Sequence, residues 1–389
     1  MTKPEKIGNI LTWAHGLDDK VLDQAHRTAA MPFLEGHLAL MPDAHWGMGA
    51  TIGSVIPTRG AIIPAAVGVD IGCGMIAVET PFTSDLLSDD LTELHHRISQ
   101  VVPAGMGQGH DNVVDDRWSD LETTAGNVGL WQNDLGTAPT QLGSLGGGNH
   151  FVEVCLDERD RVWVVLHSGS RGIGKRIADR HITTAKGLMK AWFIDLDDPD
   201  LAYLIEGTPE FQAYIDQMLW AQSYALVNRE VMMDRVLLQL AGWIGHDFTE
   251  SSRINCHHNF TQMEHHHGRN MWITRKGAIK ADTGDRGVIP GSMGTRSYIV
   301  TGTGSDASYN SCSHGAGRRM GRKEAHRTLD IDGLLEGMAG KVWNDTDALK
   351  LLDEDPRAYK DIDQVMADQD DLVTIEHTLH QVLNYKGVT

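Results

Sequence analysis

His314 stands in the string Ser-Cys-Ser-His-Gly-Ala-Gly-Arg, Ser311 to Arg318, among small residues with Arg318 four positions on. Nothing bulky shields its imidazole, so a phosphate can approach it closely. Glycines let backbone N–H groups reach phosphate oxygens, and the arginine four residues on can hold them in a fork. These residue types suit a nucleophilic histidine that becomes phosphorylated or nucleotidylated. They equally suit a capped turn with a satisfied histidine.

Other segments offer metal-ligand chemistry. Asp70 and Cys73 lie between glycines in GVDIGCGM, His150 in LGGGNHFVEV, His167 in VWVVLHSGSRGIGK, and His257 and His258 in INCHHNF. Carboxylate, thiolate and imidazole are the usual ligands of a transition metal. Each comes from a different segment, so spacing alone does not make them a cluster. There is no C-x-x-C pair and no H-E-x-x-H helix.

The elements that would position these groups read as a mixed α/β chain in one compact unit. The run Ala39 to Thr80 reads as short buried strands separated by turns. A helical stripe runs over 84–101, with Leu86, Leu87, Leu91, Leu94 and Ile98 on one face. A hairpin is expected from 151–156 and 161–166, and helices over 18–31, 175–193, 211–240, 331–343 and 361–367. Residues 272–281 return to strand, and the chain ends in a strand-like run. After WVVLH the string SGSRG turns into a helix near Ile173, a junction that points free N–H groups at an anion. If strand begins at Asn149, then Asn149, Phe151 and Glu153 share one face and His150 the other.

Composition bounds the rest. The chain has 389 residues, a formal net charge of −19, 41% hydrophobic residues and 42 glycines gathered about the histidine motifs. The acidic balance argues against nonspecific nucleic-acid binding over the whole surface. Local basic segments remain, at Arg171, Lys175 and Arg176, and at Arg318, Arg319, Arg322, Lys323 and Arg327; the plain reading of such charge runs is a solvated helix face. Four scattered cysteines suggest a reducing cytoplasm. No signal-peptide core or transmembrane stretch is read. The run His265 to His267 reads as loop or solvated surface, and Cys155 and Cys256 as small buried hydrophobes.

Taken together, the motifs resemble the RtcB family of RNA ligases. The strings MPDAHWGMGATIGSVIP, AAVGVDIGCGM, GGGNHFVEV, LHSGSRGIG, NCHHNF, TRKGA, IPGSMGTRSYIV, SCSHGAGR, AYKDIDQVM and YKG follow one another in order along nearly the whole chain. The resemblance implies a single domain over residues 1–389, with mixed sheets, surrounding helices and a central metal and nucleotide cleft. It implies ligation of RNA 3′-phosphate or 2′,3′-cyclic phosphate ends to 5′-hydroxyl ends, with GTP and two manganese ions, in RNA repair or tRNA splicing. His314 is the implied acceptor of GMP. Cys73 would bridge the metals, with His167 and His258 on one and Asp70 and His150 on the other. Asn149, Glu153, Ser292, Tyr359 and Lys386 match nucleotide-holding positions, and Ala316 and Gly317 would present backbone to its phosphates. Arg171, Lys276 and Arg318 match basic residues needed for catalysis. Asp43 and His45 receive no role.

Ligand softness by itself favours zinc over manganese at such a site; zinc is expected to bind and to inhibit. Two other readings fit the residues: a dinuclear-metal RNA-end phosphodiesterase, and a non-catalytic metal- and RNA-binding subunit. The need for an activating helper protein, the oligomeric state and the physiological RNA are open.

Overall fold

The computed structural model describes residues 4–388. Two sheets carry the architecture. One has six strands in the order Glu5–Ile7, Ile10–Thr12, Leu38–His45, Ile52–Thr58, Arg269–Lys276 and Asn259–His266. The other has seven, in the order Ser252–His257, Gly74–Thr83, Arg161–Ser168, Phe151–Leu156, Val373–Lys386, Ser297–Gly302 and Arg286–Ile289. The mixed α/β expectation holds.

The hairpin forms as read. Phe151–Leu156 pairs antiparallel with Arg161–Ser168, with Phe151 opposite His167. Val162, Trp163, Val164, Val165 and Leu166 are all fully buried, so this strand is covered on both faces. The helix Pro209–Ile244 packs on it. Its ends follow from local chemistry: Thr208 caps the Phe211 N–H, Pro209 takes the first helical position, and Gly245 closes the helix at φ 82°. At 36 residues it spans roughly 54 Å. The helix Arg171–Ala191 runs beside it and starts two residues before Ile173, where the turn into helix was expected, and four before Lys175.

Three expectations need correction. The helix expected over 84–101 is confined to Thr92–Val101, after a short 3-10 turn at Ser84–Leu86. The Asp90 carboxylate accepts the Thr92 N–H at 2.9 Å and starts the helix there. The helix expected over 331–343 stops at Gly337. His265 and His266 are not loop: they close the strand Asn259–His266, paired with Asn270 and Arg269. His266 turns inward and meets Glu264 at 2.9 Å. Among the described residues, no helix is long and apolar enough to cross a membrane.

Candidate active site

His314 follows the short strand Ser311–Ser313, which pairs with Ala278–Lys280. Its ring Nδ1 lies 2.6 Å from Asp43 Oδ2, and the same oxygen accepts its backbone N–H at 3.1 Å. Asp43 is fully buried in the strand Leu38–His45. A carboxylate at Nδ1 places the proton there and leaves Nε2 with its lone pair. Lys360 fastens this strand from outside, donating to the Pro42 and Ala44 carbonyls at 3.1 and 2.7 Å. Gly317 makes the close approach possible: at φ 72°, a Cβ there would collide with the Asp43 carbonyl oxygen.

Four imidazoles stand in a row, edge to face. Ring centroids are 5.2 Å apart for His150–His167, 4.9 Å for His167–His258 and 4.8 Å for His258–His314. The row comes from the loop before Phe151, the end of Arg161–Ser168, the junction after Ser252–His257, and the loop after Ser313. Cys73 Sγ lies 3.4 Å from His150 Nε2 and 3.3 Å from His167 Nε2. Asp70 Oδ2 lies 3.1 Å from His150 Nε2, and His258 Nε2 is 3.3 Å from His167 Nε2. Gly169 lets this loop close, since a Cβ there would fall on the Asp70 carboxylate.

The donor set fits a cation. His150 Nδ1 donates to the Leu145 carbonyl at 2.8 Å and His167 Nδ1 to the Asn149 carbonyl at 2.9 Å, so both Nε2 atoms are bare. Their lone pairs converge on the Cys73 sulfur. His258 Nδ1 is buried with no partner. Burial pushes His167 and His258 well below the ordinary histidine value, with neighbouring imidazoles adding to it. Burial, with Asp70 beside it, pushes the Cys73 thiol well up. A divalent cation among these atoms acts in the opposite sense and favours the thiolate. Burial works against ionising Asp70 too, but the His150 and Cys73 side chains beside it outweigh it and hold its carboxyl below the ordinary value. His257, the alternative histidine, turns away; its Nδ1 meets the buried Arg229 at 3.1 Å and the Gly72 carbonyl at 2.9 Å.

The expected site residues line one cavity of about 370 Å³, except His150, which lies behind Asp70 and Cys73, and Arg171. Arg171 is packed beside Gly146 and bonds to Ser144 Oγ and the Gln108 carbonyl, at 3.1 and 3.2 Å. Lys276 lines the cavity but its ammonium is tethered to the Met48 and Ala65 carbonyls; burial lowers it to about 8. Asn149, Phe151 and Glu153 do face one space, although the strand begins at Phe151. Burial raises the Glu153 carboxyl to about 7, opposed by Lys386 and by Asn384, whose amide donates at 2.8 Å. The Ala316 N–H is already engaged by the Pro290 carbonyl at 3.1 Å.

Four lining or bracing residues carried no sequence assignment: Asp43, His45, Glu354 and Lys360. Asp43 and His45 sit in the PDAHWG string, the one signal that pointed at them. His45 lines the cavity with Nδ1 on the Asp43 carbonyl at 2.9 Å, and burial lowers it to about 4. The basic segment is not simply a solvated face. Arg318 lies over the Tyr359 ring and bonds to Tyr359, Glu354 and the Asp353 carbonyl, while Arg322 and His326 approach Asp353.

Converging lone pairs beside a histidine with one free nitrogen define a candidate enzyme site in which Cys73, His150 and His167 could hold a metal ion. The family model described as tRNA-splicing ligase RtcB matches residues 24–387, and the chain belongs to that family. It is 45% identical to the RNA-splicing ligase RtcB of Escherichia coli K12, over 96% of each chain. The tRNA-splicing ligase RtcB of Aeropyrum pernix is 29% identical, over 89% of this chain and 87% of its own. The RNA-splicing ligase RtcB of Mycobacterium tuberculosis is 28% identical, over 88% and 94%.

Proposed function

We propose that this protein is an RNA ligase that joins 3′-phosphate or 2′,3′-cyclic phosphate ends to 5′-hydroxyl ends, with GTP as co-substrate and His314 as the covalent carrier of GMP. The supporting observation is the Asp43–His314 pair at the edge of the imidazole row. It leaves a nitrogen lone pair directed by a fixed tautomer, which is what attack on phosphorus requires.

The chemistry follows in balanced steps. His314 Nε2 attacks the α-phosphorus of GTP, and pyrophosphate leaves. A 3′-phosphate oxygen of RNA then takes the GMP from His314. The resulting diphosphate-like end has a good leaving group, so the 5′-hydroxyl attacks the RNA phosphorus and GMP departs. A cyclic end is first opened by water. Asp43 stabilises the imidazolium that forms as the N–P bond breaks or makes. Glu153 in its ionised form accepts from guanine N1–H and the exocyclic amine, which adenine cannot match. Asp70, Cys73, His150, His167 and His258 are the residues that would hold two manganese ions. Bound there, the ions supply positive charge to phosphate oxygens.

The test is a labelling experiment. Protein is incubated with GTP radiolabelled at the α-phosphate, with and without manganese, beside His314→Ala. A manganese-dependent, acid-labile, alkali-stable label that vanishes in the variant supports the reading. A folded, metal-loaded protein that takes no label counts against it.

A further inference from the structure

Glu354 lines the same cavity as the imidazoles of His167, His258 and His314. Its carboxylate is buried and meets three groups at once. Lys386 Nζ donates to Oε2 at 3.0 Å, Tyr359 OH donates to Oε2 at 2.8 Å, and Arg318 Nη1 approaches Oε1 at 3.4 Å. Arg318 Nη1 also donates to Tyr359 OH at 2.8 Å, so a directed chain runs from guanidinium to phenol to carboxylate. The three partners come from segments remote in sequence: the loop after His314, the turn after Pro356–Ala358, and the end of the strand Val373–Lys386.

Two of these partners are cations, and Lys386 is as buried as Glu354. Without an anion between them they would repel, and a buried ammonium without a counter-charge is costly enough to move or lose its proton. Glu354 is itself held in place. It lies between Asp353, which faces Arg322 and His326, and Asp355, which accepts the Arg357 N–H at 2.7 Å.

We propose that Glu354 is a positioning residue for the guanine nucleotide: it gathers Lys386, Tyr359 and Arg318 into the one arrangement that receives it. The nucleotide's identity rests on the ligase reading above. The role differs from competition, in which the carboxylate would occupy the place of a phosphate. Positioning predicts that neutralising Glu354 weakens nucleotide binding, and competition predicts that it tightens binding.

The experiment is GTP binding by calorimetry on full-length, manganese-loaded protein, for wild type, Glu354→Gln and Glu354→Asp. Thermal unfolding and metal content are checked first. Glutamine keeps the shape and loses the charge; aspartate keeps the charge but is one methylene too short to span all three partners. The expected result is a Kd for GTP raised about tenfold or more in Glu354→Gln. Glu354→Asp should fall between that variant and wild type, and label formation at saturating GTP should stay within about threefold of wild type. Should the glutamine variant not fold, the aspartate variant carries the test with the same expected direction. An unchanged or lower Kd, or a slower saturated rate with Kd unchanged, overturns the proposal. Wild type that binds no GTP overturns this proposal and the nucleotide reading together, whereas normal wild-type binding with unchanged variants overturns this one alone.

Discussion

Asp43 Oδ2 accepts two hydrogen bonds from His314, one from the ring Nδ1 at 2.6 Å and one from the backbone N–H at 3.1 Å. One oxygen thus sets both the tautomer and the height of the ring above the cleft. Asp43→Asn removes the charge that favours the imidazolium and can present a donor to Nδ1. Label formation from GTP should fall by about a hundredfold or more, with metal content unchanged. A rate within threefold of wild type would remove Asp43 from the chemistry.

Cys73 is the donor that contacts both His150 and His167. If it bridges two ions, Cys73→Ala should lose both, not one. Elemental analysis after dialysis against manganese gives the stoichiometry directly. A variant that keeps two ions per chain rules bridging out.

Glu153 supplies a pH dependence with a definite sign. Burial raises its folded-state value from 4.5 to about 7. A raised value means that the folded state binds the proton more tightly. The associated stability is complete below pH 4.5 and is lost as pH rises through about 7. The loss is on the order of 3 kcal/mol. Glu153→Gln should therefore match wild type near pH 4.5 and exceed it in stability at pH 8, by denaturant unfolding. If Glu153 accepts from guanine in its ionised form, GTP affinity in wild type should weaken by up to about tenfold per unit as pH drops below 7. A flat Kd between pH 6 and 8 would refute the guanine contact.

Gly317 allows the loop after His314 to touch the Asp43 backbone. Gly317→Ala must move one of the two segments and pay for a positive φ as well. The variant should keep its metal and lose most GMP attachment, with a cost in stability of about 1–2 kcal/mol. Calorimetric unfolding and labelling of the same sample separate the two effects.

Much of this protein was legible as sequence because its chemistry sits in short strings. SCSHGAGR carries His314, GVDIGCGM carries Asp70 and Cys73, and the glycines around them announce close backbone approach. Alternation and apolar runs revealed the hairpin from Phe151 and the two long helices, since those periods follow from local backbone geometry. His265 and His266 lie in strand, not loop, because pairing with Asn270 and Arg269 decides that stretch and pairing is not a local property, while His265 and His267 are exposed as the surface reading expected.

Residue types and order along the chain thus determined which groups were available for metal and phosphate chemistry. Only the tertiary structure decided who meets whom. Asp43 reaches His314 across 271 positions, and Glu354 reaches Arg318 and Lys386 across 36 and 32. A buried carboxylate has no periodicity or motif of its own. Its partner is chosen by the packing of two sheets and by the requirement that a charge removed from water be answered by another.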